Sequence, residues 1–209
     1  MIRAAIVAAA LFLAACNGGG SPRAPGGVGP VTLDARNWDF RYGTNTPKHP
    51  ETVTAGFAFD FPGTDGEIDY LMTDTDVKPD TVVRVRYRID VTGEPIFVPN
   101  GCESGGRVSI LLQRKNDNLT AKEEDKRFWG TTRLELAGGE YLIEIPLTDL
   151  TKWTQVFGKK AADRLDGWKA TINNLGAVGL TFGGCGHAGH GVHVEGGTAR
   201  MTVAEFTVE

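Results

Sequence analysis

The sequence predicts an all-β fold: two antiparallel sheets packed as a β-sandwich, with at most one short helix. Three observations carry this. Apolar residues recur with period two over several short segments, 28 glycines and 10 prolines punctuate the segments between them, and a single stretch has helical spacing. Taken in chain order, Phe57, Phe59 and Phe61 alternate first. Val82 to Val91 then sets Val83, Val85, Tyr87, Ile89 and Val91 on one face and Arg84, Arg86, Arg88 and Asp90 on the other, as expected of a half-buried antiparallel strand. Val108, Ile110 and Leu112 follow, then Tyr141, Ile143 and Ile145, then Val178, Leu180 and Phe182. In the last strand Met201 and Val203 share a phase that Phe206 and Val208 do not, so a bulge is expected near Ala204 and Glu205. The helical stretch is Lys159 to Asn173, where Ala162, Leu165, Trp168 and Ile172 are spaced three, three and four apart, and Gly167 is expected to break it. No internal repeat is visible, against a propeller or β-helix.

The N-terminus carries an address. Residues 1–15 hold one basic residue, Arg3, and an uncharged apolar run from Ala4 to Ala15. That run is too short for a bilayer, which takes about 20 residues, and reads as the core of a secretory signal. It ends in Leu13-Ala14-Ala15-Cys16, which resembles the bacterial lipoprotein lipobox. The resemblance implies cleavage before Cys16 and lipidation of that cysteine. Asn17 in the next position, rather than Asp, implies outer-membrane delivery. Residues 16–30 are a lipidated Cys and a Gly/Pro-rich tether with a reach of roughly 20 Å, and residues 31–209 form the sandwich domain. Ordinary secretion and a chance match are the alternatives.

Charge narrows the partners. The chain has 22 Lys+Arg against 26 Asp+Glu, and losing Arg3 with the signal makes it more acidic still. Phosphate neutralisation needs a basic surface, so a nucleic-acid partner is disfavoured. No cofactor motif is present. Two cysteines remain, Cys102 and Cys185, each in a glycine-rich segment, and in an oxidising compartment such a pair is expected to form a disulfide. Two free thiols are the rival reading. Neither lies in a CxxC, which argues against a zinc ribbon or a thioredoxin-type site.

In the C-terminal half, Leu142 to Val156 (LIEIPLTDLTKWTQV), Asn174 to Gly184 (NLGAVGLTFGG), the Gly189-His190-Gly191-Val192 step and Ala199 to Phe206 (ARMTVAEF) are similar to the galactose-binding-like jelly rolls used as carbohydrate-binding modules. The resemblance covers roughly residues 80–209. It implies a jelly roll, often non-catalytic, with its ligand on a sheet face or on the loops at one end.

The residues themselves offer several candidate sites. Gly66 to Met72 (GEIDYLM) resembles the Glu-x-Asp-x-x-Glu strand of laminarinase-type glycoside hydrolases, where alternation sets a nucleophile and an acid/base on one face. Met72 stands where the second Glu would be, so Glu67 and Asp69 are read as a turn feeding a strand, and an enzyme is disfavoured. His187, His190 and His193 could meet in a metal site only if the intervening glycines turn the chain, since extended backbone alternates their faces. Metal binding there is left open, against a structural histidine or a ligand contact by His190. The hairpin from Leu112 to Trp129 gathers Arg114, Asp117, Asn118, Arg127 and Trp129. An aromatic face flanked by charged and amide groups is what a sugar needs, so these residues, with His190, are the expected ligand site, with Trp129 exposed; a solvated hairpin with Trp129 in the core is the competing reading. The Arg84, Arg86, Arg88 triplet is read as a solvated face that would favour an acidic polysaccharide if it lies on the concave sheet. Trp38, Trp153 and Trp168 are assigned to the core. The expected function is a lipid-anchored envelope protein that binds glycan; a polysaccharide-acting enzyme and a structural or protein-partner module are the alternatives.

Overall fold

A computed structural model describes residues 29–102, 105–186 and 188–209. Cys16 with the signal segment, and His187, lie outside the described residues. The strands are β1 (Gly29–Pro30), β2 (Trp38–Arg41), β3 (Glu51–Val53), β4 (Gly56–Asp60), β5 (Tyr70–Asp74), β6 (Val82–Pro99), β7 (Arg107–Arg114), β8 (Arg127–Gly130), β9 (Leu134–Glu135), β10 (Gly139–Pro146), β11 (Trp153–Gln155), β12 (Leu175–Gly183) and β13 (Val192–Val208). One α-helix, α1 (Leu165–Asn173), precedes β12. The first sheet runs β10-β6-β13-β4-β3 with β1 beside β13, and the second runs β11-β8-β7-β12-β5-β2 with β9 beside β7. Every pairing is antiparallel. From β4 onward the chain changes sheet at most connections, as double-sheet jelly rolls do.

The expected alternation becomes the first sheet. Val83, Val85, Tyr87 and Ile89 enter the core, and Arg84, Arg86 and Arg88 stay outside, paired with Glu144, Glu205 and Asp90. Val91 departs from the reading. It is exposed, because residues 90 to 94 run out past the sandwich before Phe97 and Pro99 return to it. The predicted bulge is present as a register shift between Val203 and Glu205, which lets Met201, Val203, Phe206 and Val208 all reach the core. Strand pairing also begins at Gly29 and Pro30, just ahead of the expected boundary at Val31.

Aromatic rings join the two layers. Trp38 of the second sheet lies 4.7 Å from Phe57 and 5.2 Å from Phe206 of the first, and Phe59 meets Phe182 edge-on. The indole N–H groups of Trp38 and Trp153 donate to the carbonyls of Thr32 and Pro146. The helix does not break at Gly167. It passes through, because a Cβ there would stand 2.8 Å from Asp125 Cβ and only glycine allows that approach. Its Trp168 closes one edge of the core against Phe128 and Trp153.

Candidate functional site

Strand register defines the outer face of the second sheet, the one turned away from the core. Across β11, β8, β7, β12, β5 and β2 one row reads Thr154, Trp129, Leu111, Gly179, Met72, Asp39. The flanking rows are Arg127, Gln113, Ala177, Asp74 and Ser109, Thr181, Tyr70, Arg41. A sheet face open to water is normally polar. Here Tyr70, Met72, Leu111, Trp129 and Ala177 form a second buried apolar cluster, with Leu119, Val156 and Ala188 packed on it from loops. The loops do not close over it. They leave a cleft of about 530 Å³ whose walls include Tyr70, Arg127, Trp129, Arg133, Phe157 and His190.

Two glycines bring one wall in. Gly189 and Gly191 both have positive φ, which glycine alone adopts without strain. A Cβ on Gly189 would overlap the Tyr70 hydroxyl, and one on Gly191 would lie 2.7 Å from an oxygen of Asp69 and 2.7 Å from one of Glu67. The Cys102–Cys185 disulfide fastens the same loop to the end of β6, across 83 residues of sequence.

The predicted ligand residues are divided by the fold. Arg127, Trp129 and His190 line the cleft. Asp117 sits behind it: its side chain is fully buried, with Oδ2 3.0 Å from Arg127 Nε and accepting a 2.8 Å hydrogen bond from Gln113 Nε2. Arg127 also donates to the carbonyls of Leu119 and Thr120. These two charges therefore hold the loop after β7 onto the sheet. Asn118 caps that loop, its Oδ1 accepting from the Thr120 backbone and hydroxyl. Arg114 lies apart, in a separate groove with Arg41, Asp74 and Lys115. Trp129 is not the exposed ring expected of it. It is 5% exposed, because it lies in the row between Thr154 and Leu111 with loop residues packed on the cluster it belongs to. Its indole N–H is buried with no acceptor among the described residues, unlike those of Trp38 and Trp153.

Sequence reasoning missed the exposed aromatics. Phe157, 61% exposed, sits on the cleft wall in a turn where its backbone N–H donates to the Gln155 side chain. Tyr42, 62% exposed, meets the Tyr70 ring edge-on and donates from its hydroxyl to the carbonyl of Asn118. Both fall outside any strand alternation. An aromatic next to a turn glycine, as in Phe157-Gly158 and Tyr42-Gly43, was the available signal.

The described lining of the cleft carries Arg127 and Arg133, and no Asp or Glu appears among the described residues that line it. Arg127 is balanced by Asp117, but Arg133 has no ion pair or hydrogen bond among the described residues. Burial, and second the neighbouring Arg107, push the Arg133 guanidinium down from its usual range. The other carboxylates lie to the side: neither Glu67 nor Asp69 lines the cleft. Glu67 accepts from Asn100 Nδ2 at 2.9 Å, while Asp69 Oδ1 is buried without a hydrogen-bond partner among the described residues, and burial with the charge of Glu67 raises Asp69 to about 7. Met72, in the position of the missing carboxylate, is buried in the apolar row. Of the histidines, His193 Nε2 lies 3.2 Å from Glu195 Oε1. Among the described residues no three His, Cys, Asp or Glu side chains are grouped as metal ligands. The arginine triplet of β6 lies on the first sheet, where Arg86 and Arg88 line a groove with Tyr141 and Leu142.

No protein-family model matches the chain, and no curated protein does. A solved structure described as "xylan-binding module CBM15" is similar at 13% identity and a TM-score of 0.41, over 86% of this chain and 99% of that one.

Proposed function

We propose that this chain is a non-catalytic carbohydrate-binding protein of the bacterial cell envelope, anchored by lipid on Cys16, with outer-membrane delivery, and that it takes a glycan into the cleft on the second sheet. One observation carries the binding reading. A sheet face that would ordinarily be polar carries the buried apolar cluster of Tyr70, Met72, Leu111, Trp129 and Ala177, yet the loops over it leave a cleft of about 530 Å³. That volume is in the range of small-ligand sites, about 300 to 1,000 Å³. Sugars present apolar C–H faces and paired hydroxyls. Phe157 offers an exposed ring for the former, and the half-buried Arg133 guanidinium offers donors for the latter. The disulfide supports an oxidising compartment, in keeping with export.

A glycan array probed with the full chain tests the reading, with Phe157→Ala as its control. The wild type is expected to bind at least one glycan, and the variant to bind about tenfold more weakly at unchanged melting temperature, as loss of an aromatic anchor does. Absence of any glycan binding, or a variant that binds as well as wild type, rejects it. For the anchor, Cys16→Ser is expected to move the protein from the membrane fraction to the soluble one, since stable anchoring needs the acyl chains.

A further inference from the structure

We propose that the cleft selects acidic glycans, with Arg133 receiving the carboxylate of a uronic-acid unit. This rests on the glycan-binding reading above and names the substrate class of the same site. Three features of the geometry lead to it. Arg133 lines the cleft, half-buried, and has no acidic partner among the described residues, whereas Arg127 on the same wall is matched by Asp117. A cation taken partly out of water without a partner is unfavourable, and an anion brought by the ligand removes that penalty. The surroundings reinforce the sign. Arg107 joins Arg133 in lining the narrow pocket beside the cleft, and among the described residues neither lining contains an Asp or Glu, in a chain whose net charge is −4. Geometry then favours a carboxylate. The guanidinium is a planar fork matched to two coplanar oxygens, as carboxylates present them, and a uronate is the sugar unit that carries one beside hydroxyls and an apolar face. Phe157, on the same wall, is the ring such a unit would rest on.

The experiment uses the full chain in calorimetric titrations. Its probes are oligogalacturonate, oligomannuronate and glucuronate-substituted xylan fragments, each with its carboxyl-reduced form, which keeps the backbone and loses only the charge. At least one acidic probe is expected to bind tenfold or more tightly than its reduced form, by a margin that shrinks as salt rises. Arg133→Gln should collapse that ratio towards one, and Arg133→Lys should retain part of it, since lysine keeps the charge but not the fork. Because the ratio in the wild type is itself diagnostic, the test stands even if a variant folds poorly. Equal or tighter binding of the reduced forms overturns the acidic selection while leaving glycan binding intact. Binding of no probe, acidic or reduced, together with a blank array, overturns both. A sulfated glycan of equal charge density that outcompetes every uronate overturns the carboxylate assignment, and so does an undiminished ratio in Arg133→Gln.

Discussion

Trp129 and Phe157 show at the scale of single residues how burial decides what an aromatic can do. Trp129 is buried in the apolar cluster of the outer face, so Trp129→Ala is expected to cost about 3 to 5 kcal/mol as core truncations do. Phe157→Ala, at an exposed ring, should leave denaturant unfolding within about 0.5 kcal/mol of wild type. If Trp129→Ala unfolds at the wild-type denaturant midpoint, the ring is not structural. The Asp117 and Arg127 pair is of the same kind. Arg127→Met would strand a fully buried carboxylate, at about 3 to 5 kcal/mol, and the double change with Asp117→Asn should recover much of that; a double variant as unstable as the single one refutes it. Asp69 gives a dependence on pH. Its folded pKa is raised, to about 7 from 3.8, so between those values the native state holds a proton that the unfolded chain has released. Stability from this group is therefore fully present at low pH and is lost as pH rises towards 7. In Asp69→Asn the fall in melting temperature between pH 5 and pH 8 should flatten, and an unchanged slope would assign it to other groups.

At the scale of elements, the two sheets were unequally legible. β6 alternates plainly because one of its faces meets water, so Val83 to Ile89 could be assigned to the core by period alone. β7 is buried along both faces from Val108 to Gln113, and β5, β8 and β11 are covered likewise, so their sequences lose the period-two contrast. Leu71-Met72 and Leu111-Leu112, apolar in both phases, were the trace left in the sequence by the second apolar face. Of the helix expected over Lys159 to Asn173 only Leu165–Asn173 is α-helical, with Trp168 and Ile172 turned inward and Ala162 and Leu165 exposed, and the meaning of Gly167 depended on a neighbour remote in sequence, Asp125, which Arg164 and Thr171 also grip. Gly167→Ala therefore sets a helix-propensity gain of about 1 kcal/mol against a Cβ placed 2.8 Å from Asp125 Cβ. The clash should win, for a net loss of about 1 to 2 kcal/mol, in the usual range for overpacking. A variant with a raised melting temperature would show that the 121 to 126 segment yields freely.

For the whole molecule, the site is assembled from segments far apart in the chain: the start of β5, the loops after β7 and β11, β8 and the turn that follows it, and the loop between β12 and β13. Short-range pattern could name Arg127, Trp129 and His190 as candidates, yet which residue faced the cleft was set by register across six strands. That is why Arg114, adjacent in sequence, went to another groove and Arg133 and Phe157 went unnoticed. The disulfide is the one long-range contact that cysteine counting did anticipate, and its position gives it two roles. It joins the end of β6 in the first sheet to the loop after β12 in the second, and that loop supplies Gly186, Ala188, Gly189 and His190 to the cleft. Closing a loop of this length is worth about 4 to 5 kcal/mol on the chain-entropy account. Cys102→Ser with Cys185→Ser should lower stability by an amount of that order in urea unfolding. If the bond also shapes the wall, the same variant, titrated cold enough for circular dichroism to show it fully folded, should still bind its glycan several-fold more weakly. Equal affinity under those conditions would leave the disulfide a stabiliser of the sandwich alone, and would mean that the positive-φ glycines packed on Tyr70 and Asp69 suffice to hold the wall in place.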